Sequence, residues 1–508
     1  MFVECESFSD AKKIFHKFPP RSVNSWTSLI QVYVENGALE HGFMAFYQMQ
    51  EENLQPNKHI FSALLKACGK MKSIDQGREI YAQIVEQGLE GELFIGSGLV
   101  DMYVKCESLV EAQDVLYHMS KRNVVTWTSL MAGYAQNKLG EEALDCLDKM
   151  EREGISPNWV SFIYSLKACT NVESSIHKGM EIHNRVLETG FEQDVAVCNS
   201  LMDMYLRHGL LCEAKAIFEK VKVRNVILWT EFILGYIEHG LQKEALQCFE
   251  KMRLEGVQPD PITYVCGLKA CGILRAIGEG RELHSSIIKE GLDGCIVVSN
   301  ALLGMYLKCG MLLDGEQVFK NLSSKNVISW NSLICGYLEN GYDHKAVECF
   351  NLMHFEFVCP DEITIMSCLK ACGNVTSMDK VQEMHADVIR RGLEEELQVA
   401  NALIDVYVNC GLMMTAQQVF NKLEARDVVS WNTLISGYSE QNCDNKVIDC
   451  IEHMKEDEVA LDDVTLVCSV KACGKLGYRN KGREIHTEII KKGFDEVLTI
   501  SNTLIDKY

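Results

Sequence analysis

Apolar residues in this chain recur at helical spacing, and the helical segments themselves recur on a longer beat. Within 124–158, Trp127, Leu130, Met131 and Tyr134 stand at i, i+3, i+4 and i+7, one stripe of an α-helix. Ala143, Leu144, Leu147 and Met150 repeat that pattern and predict a second helix. Between the two predicted helices, equivalent stretches carry Gly37, Gly240 or Gly341, suited to a left-handed helix end. Pro157 closes the stretch before the next apolar run. Each stretch therefore reads as a two-helix hairpin with a shared core.

Five of the six tryptophans, Trp26, Trp127, Trp229, Trp330 and Trp431, share one slot at separations of 101, 102, 101 and 101 residues. A regular period marks an array in which each unit buries its apolar face against its neighbours. A single globular active site is then not the default expectation. One period divides into hairpins of 35, 35 and 31 residues. The first kind is expected at 23–57, 124–158, 226–260, 327–361 and 428–462. The second kind, marked by Lys-Ala-Cys, is expected at 58–92, 159–194, 261–295, 362–396 and 463–497, the unit 159–194 holding one extra residue. The short kind is expected at 93–123, 195–225, 296–326 and 397–427. Partial short units fall at 1–22 and 498–508, where Met1 aligns with Met102 and Tyr508 with Tyr103. The expectation is one array of fourteen complete hairpins, cut inside a repeat at both ends.

The period reinterprets the 22 cysteines of the 508-residue chain, a number that would otherwise suggest a disulfide framework. Cys68, Cys169, Cys271, Cys372 and Cys473 share one slot, and Cys5, Cys106, Cys309 and Cys410 another. Cysteines fixed to one slot are expected to be small buried spacers, which implies a reducing compartment. The sequence has no Cys-x-x-Cys spacing for zinc or redox chemistry. No apolar run approaches the length of a membrane span, and no membrane partner is expected. The formal charge of −21, from 50 basic and 71 acidic residues, argues against a polyanionic partner. Charge summed over all faces does not decide the sign of one face, however, and a protein-binding helical scaffold stays open as the alternative.

Asn-Val-Ile-Ser-Trp-Asn-Ser-Leu-Ile (326–334), Gly-Arg-Glu-Ile-His (482–486) and Asn-Ala-Leu-Ile-Asp-Val-Tyr (401–407) resemble the P, L and S signatures of the pentatricopeptide repeat family, in its plant-type P-L-S subclass. The likeness covers essentially the whole chain. It implies an all-α fold, a right-handed α-solenoid superhelix of tandem helix-turn-helix repeats. It further implies binding of single-stranded RNA in a mitochondrion or chloroplast, one base per repeat. The P-L-S members mostly specify sites of cytidine-to-uridine editing, so an editing deaminase or accessory editing factor is an implied partner. A role in RNA stability or splicing would use the same groove. No cofactor is implied.

In the family, the fifth and last residues of P and S units select the base. Here those pairs are Thr27/Asn57, Ser97/Asn123, Thr128/Asn158, Asn199/Asn225, Thr230/Asp260, Asn300/Asn326, Asn331/Asp361, Asn401/Asp427 and Asn432/Asp462. All nine join a small polar residue to Asn or Asp, groups able to meet a base edge. Asn or Asp before a helix is also an ordinary N-cap. Capping alone should apply equally where L units end, and those positions are Glu92, Asp194, Cys295, Glu396 and Val497. The L units' fifth residues are Ser62, Ile163, Val265, Met366 and Val467, four of them apolar. Polarity at two distant slots thus rises and falls together.

The resemblance also implies apolar second residues that wedge between bases. Phe94, Val125, Ile227, Val297, Ile328 and Val429 fit, whereas Asn24, Ala196 and Gln398 depart. Lys66, Lys167, Lys269, Lys370 and Lys471 fill the ninth slot of every L unit. They are placed to meet phosphates, or to be neutralised by a ladder to Asp101, Asp203 and Asp405. A zinc deaminase needs His-x-Glu followed by Pro-Cys-x-x-Cys. His354-Phe355-Glu356 and His486-Thr487-Glu488 supply only the first half. His183, His284, His385 and His486 share an L-unit slot and are expected to pack. This stretch is expected to have no catalysis.

Overall fold

The computed structural model describes residues 22–172, 175–375, 378–493 and 498–507. The expectations placed on 1–21, including Cys5, and on Val497 and Tyr508 fall outside them. Among the described residues all regular structure is helical. First helices begin at Val23, Lys58, Leu93, Val124, Trp159, Val195, Val226, Pro261, Ile296, Val327, Glu362, Leu397, Val428 and Asp463, the first residue of each expected hairpin. A further helix starts at Leu498, where the last partial unit was expected. In the first triplet the hairpins pair Val23–Glu35 with Leu39–Glu51, Lys58–Met71 with Ile74–Glu86, and Leu93–Lys105 with Leu109–His118. The second helix of the short unit has 10 residues against 13 in its neighbours, which accounts for most of the length difference.

The chain divides into two compact units, 1–259 and 260–508. In each, a first helix packs on its own second helix and on the first helix of the next hairpin. The stripes read from the sequence make these contacts. Trp127, Leu130 and Met131 are fully buried in the first unit, as are Ile334 and Leu434 in the second. Turns between helices are closed by left-handed glycines, with φ of 77° at Gly37, 75° at Gly240 and 75° at Gly341. A second set of glycines allows close approach. A Cβ on Gly77, Gly179 or Gly280 would stand 2.5–2.8 Å from the Sδ of Met102, Met204 or Met305.

Cys68, Cys169, Cys271, Cys372 and Cys473 are buried at the seam between first helices, and burial pushes the Cys68 and Cys271 thiols up to about 12. Cysteines so placed act as small apolar spacers. His183, His284 and His385 also pack. Their Nδ1 atoms lie 2.8, 2.8 and 2.7 Å from the hydroxyls of Tyr205, Tyr306 and Tyr407 on the next short unit.

A recurring latch escaped the sequence reading. Two residues before each P unit from 124 onward stands a cation that pairs with the carboxylate ending that unit's second helix. In the first unit the pairs are Arg122 with Glu153, and Arg224 with both oxygens of Glu255 at 3.1 Å. In the second they are Lys325 with Glu356 at 3.2 Å and Arg426 with Asp457 at 3.2 Å. Each cation also lies over an aromatic ring, Arg224 4.8 Å from the Phe218 centroid. Such pairs are hard to foresee because partners 31 residues apart meet only once the hairpin has folded.

Candidate nucleic-acid interface

Each last residue of a P or S unit precedes a helix, and its side chain caps that helix. Asn57 Oδ1 accepts from the backbone N–H of His59 and Ile60 at 3.1 and 3.0 Å. Oδ1 of Asn123, Asn158, Asn225 and Asn326 likewise accepts from Thr126, Ser161, Leu228 and Ser329. Asp260, Asp361, Asp427 and Asp462 do the same for Thr263, Thr364, Ser430 and Thr465. Capping is therefore real at all nine positions. Among the L-unit ends, Asp194 also caps, at 2.9 Å to Ala196, while Glu92, Cys295 and Glu396 make no side-chain cap bond.

Capping also fixes what each residue has left to offer. A helix N-terminus supplies only donors, so the amide of Asn must turn its oxygen to the backbone and its N–H groups outward. Aspartate in the same seat leaves Oδ2 outward, an acceptor. The fifth residues are constrained in a similar way. Thr27, Ser97, Thr128 and Thr230 donate their hydroxyl hydrogens to carbonyls one turn back, at 2.7, 2.7, 2.7 and 2.8 Å. The lone pairs of Thr27, Ser97 and Thr128 remain for a second partner.

Of the eight pairs that lie within one compact unit, five are in direct contact. Asn57 Nδ2 donates to Thr27 Oγ1 at 3.0 Å, although 30 residues separate them. Asn300 Nδ2 reaches Asn326 Oδ1 at 3.4 Å. Asn331 Nδ2 donates to both oxygens of Asp361 at 2.9 and 3.0 Å. Asn401 Nδ2 donates to Asp427 at 3.2 Å, and Asn432 Nδ2 to Asp462 at 2.7 Å. A further bond steadies three of these asparagines, since Ser329, Thr364 and Ser430 hydroxyls donate to Asn300, Asn331 and Asn401 Oδ1 at 2.7, 2.5 and 2.6 Å. Ser97/Asn123, Thr128/Asn158 and Asn199/Asn225 show no such bond. Thr230 and Asp260 fall on opposite sides of the division between the two compact units.

Burial opposes ionisation of Asp361 and Asp427. Bonds donated by the following backbone N–H, by the hydroxyls of Thr364 and Ser430, and by Asn331 and Asn401 outweigh it and hold both below the usual carboxylate range. Both are anionic acceptors at neutral pH.

Around these pairs the second slot is apolar and open. Phe94, Val125, Ile227, Val297, Ile328 and Val429 are 52–57% exposed hydrophobic side chains. Asn24, Ala196 and Gln398 are exposed at the same slot. The structure extends the row into L units, where Ile262, Ile363 and Val464 are also exposed. The sequence carries that signal in the apolar second slots of these L units.

The ninth-slot lysines are exposed as well. Among the described residues none forms a direct ion pair with the aspartates of the expected ladder, although at Asp405 burial raises the pKa and the charge of Lys370 opposes it. Asp101 binds Lys105 at 2.6 Å and Asp203 binds Arg207 at 2.9 Å, each on its own helix. Of the His-x-Glu segments, Glu356 is taken by Lys325 and Glu488 by Lys455 at 2.7 Å. Among the described residues no group of His, Cys, Asp and Glu could hold a metal ion. No helix of the described residues is long and apolar enough to cross a membrane.

Stacked helical hairpins with paired polar groups at a fixed slot define an α-solenoid repeat protein. The chain belongs to the PPR repeat family, whose sequence profiles match residues 21–70, 122–171, 224–272 and 325–374, and also 196–226, 297–327, 399–428 and 429–459. A mitochondrial pentatricopeptide repeat-containing protein of Arabidopsis thaliana is 30% identical over 484 residues, 95% of this chain and 70% of the relative. Two chloroplastic relatives from the same plant are each 32% identical over 94% and 100% of this chain. The chain spans about half of their length, 55% and 53%. The fold is similar to the crystal structure of the pentatricopeptide repeat protein PPR10 from maize, with a TM-score of 0.71 at 18% identity, covering all of this chain and 80% of that one. It is also similar to PPR10 in complex with an 18-nt psaJ RNA element, with a TM-score of 0.65 at 16% identity over 97% of this chain and 75% of that one.

Proposed function

We propose that this chain forms one continuous P-L-S array that binds a defined single-stranded organellar RNA, one base per repeat, and so marks sites of cytidine-to-uridine editing. An editing deaminase or accessory editing factor supplies the chemistry, and the repeats themselves perform no catalysis. The single observation that carries base reading is the side-chain bond joining fifth and last residues in five units. It forms one composite polar surface from residues 26 or 30 positions apart.

The capping geometry adds a chemical reason for the family's preferences. The Watson–Crick ring nitrogen is an acceptor in A and C and a donor in G and U. An outward Asn N–H suits the first pair, an outward Asp Oδ2 the second. Thr or Ser with Asn then takes A, Thr with Asp takes G, Asn with Asp takes U, and Asn with Asn takes a pyrimidine, C over U. The exposed second-slot residues flank each base. Names of relatives as chloroplastic or mitochondrial proteins support an organellar location.

Applied from the P unit at 23 to the L unit ending at 497, these preferences give 5′-A-N-A-A-N-Y-G-N-Y-U-N-U-U-N-3′, with N for L units and Y for a pyrimidine. In filter binding, that oligomer should bind more tightly than one with A and U exchanged. Equal affinities would rule base reading out.

A further inference from the structure

We propose that the first L unit, 58–92, is itself a nucleotide-binding site, unlike the L units that follow it. The inference rests on the RNA-binding reading above and adds a position to it. A hollow of about 140 Å³ opens here, lined chiefly by Gln31, Glu35, His59, Ser62, Lys66 and Phe94. These side chains come from three successive first helices of one compact unit.

Three departures from the repeat coincide at this hollow. The fifth slot holds Ser62, where later L units hold Ile163, Val265, Met366 and Val467. The hydroxyls of Thr27 and Ser97 on either side are spent on carbonyls of their own helices. Ser62 makes no such bond among the described residues, and it lies half-buried on the hollow. The second slot holds His59, where later L units hold Val160, Ile262, Ile363 and Val464. The second slot of the following short unit holds Phe94, where its counterparts are Ala196, Val297 and Gln398. The His59 and Phe94 rings stand 6.3 Å apart at 59°. No other unit places two rings at adjacent second slots.

An exposed aromatic pair beside a half-buried hydroxyl is the chemistry of a base-stacking platform with one polar contact. Lys66 adds an exposed ammonium on the same hollow and forms no ion pair among the described residues, which leaves a cation for the flanking phosphate. Glu35 and Gln31 supply an acceptor and an amide for the base edge.

The test uses the chain with the oligomer above, carrying a single abasic nucleotide at position 2 or at position 5. Position 5 faces 159–194, an L unit with Ile163 in place of the serine. Loss of the base at position 2 should weaken binding roughly tenfold, the scale of one stacked base, and at position 5 less than about twofold. His59→Ala with Ser62→Val should abolish the position-2 penalty. Equal penalties at positions 2 and 5, or a position-2 penalty unchanged in the double variant, would overturn the proposal. An A-to-U exchange at positions 1, 3 and 4 separates the two readings. If that exchange is felt and the abasic site at position 2 is not, only this inference fails. If neither is felt, both fail.

Discussion

One atom of Asn57 stabilises the protein and another faces its partner. Oδ1 closes the helix that begins at Lys58, and Nδ2 reaches Thr27. Stability and the proposed recognition are therefore separable at this residue. Asn57→Asp keeps the cap, since the two residues are about equally good in that seat, but it replaces an outward donor by an acceptor. It should leave the melting temperature nearly unchanged and turn the first position of the RNA from A towards G. Asn57→Ala should remove both functions, at a cost of about 1 kcal/mol in stability. Melting curves alongside binding to oligomers differing only at position 1 check both. If Asn57→Asp left the preference for A intact, the outward group would not be what meets the base.

The hairpins are joined by seams that respond to pH. His183, His284 and His385 each meet a tyrosine on the next short unit, and burial, the largest influence on each, lowers their pKa below the usual imidazole value. The folded chain holds the rings neutral, whereas the unfolded chain protonates them below about pH 6.5. The unfolded state binds more protons there, so the stability these rings contribute is present above that pH and is lost as it falls. The urea midpoint should drop between about pH 7.5 and 5.5, and replacing all three histidines by glutamine should flatten the drop. An unchanged slope would show that the histidines are not the titrating groups. Helix starts were legible in the sequence because apolar residues return on one stripe and Asn or Asp returns before most first helices of P and L units. The latches such as Arg224 with Glu255 were not, because the period fixes a slot without naming the neighbour its side chain finds. The paired slots were legible as residues. Their division of labour, one oxygen for the cap and one group for the partner, became visible only once the distances were known.

At the scale of the molecule, a net charge of −21 is compatible with the proposed RNA partner because of where the cations stand. The fold spends acidic residues on second helices and keeps Lys66, Lys167, Lys269, Lys370 and Lys471 exposed on first helices, while Asp101 and Asp203 pair on their own helices. If all five meet phosphates, log K should fall with log salt at a slope of about −3.5 for a single strand, and each Lys→Ala should reduce the slope by about 0.7. Binding indifferent to salt would instead favour a protein-binding scaffold. The central claim, that fifth and last residues together choose the base, is tested most directly at the last P unit. Asn432→Thr changes one member of a bonded pair and leaves the cap residue Asp462 in place. Affinities of the parent and the variant should be measured for two oligomers that differ only by U or G at position 13. The parent should prefer U and the variant G, with each preference on the order of 1–3 kcal/mol. The same preference in both proteins would contradict the account.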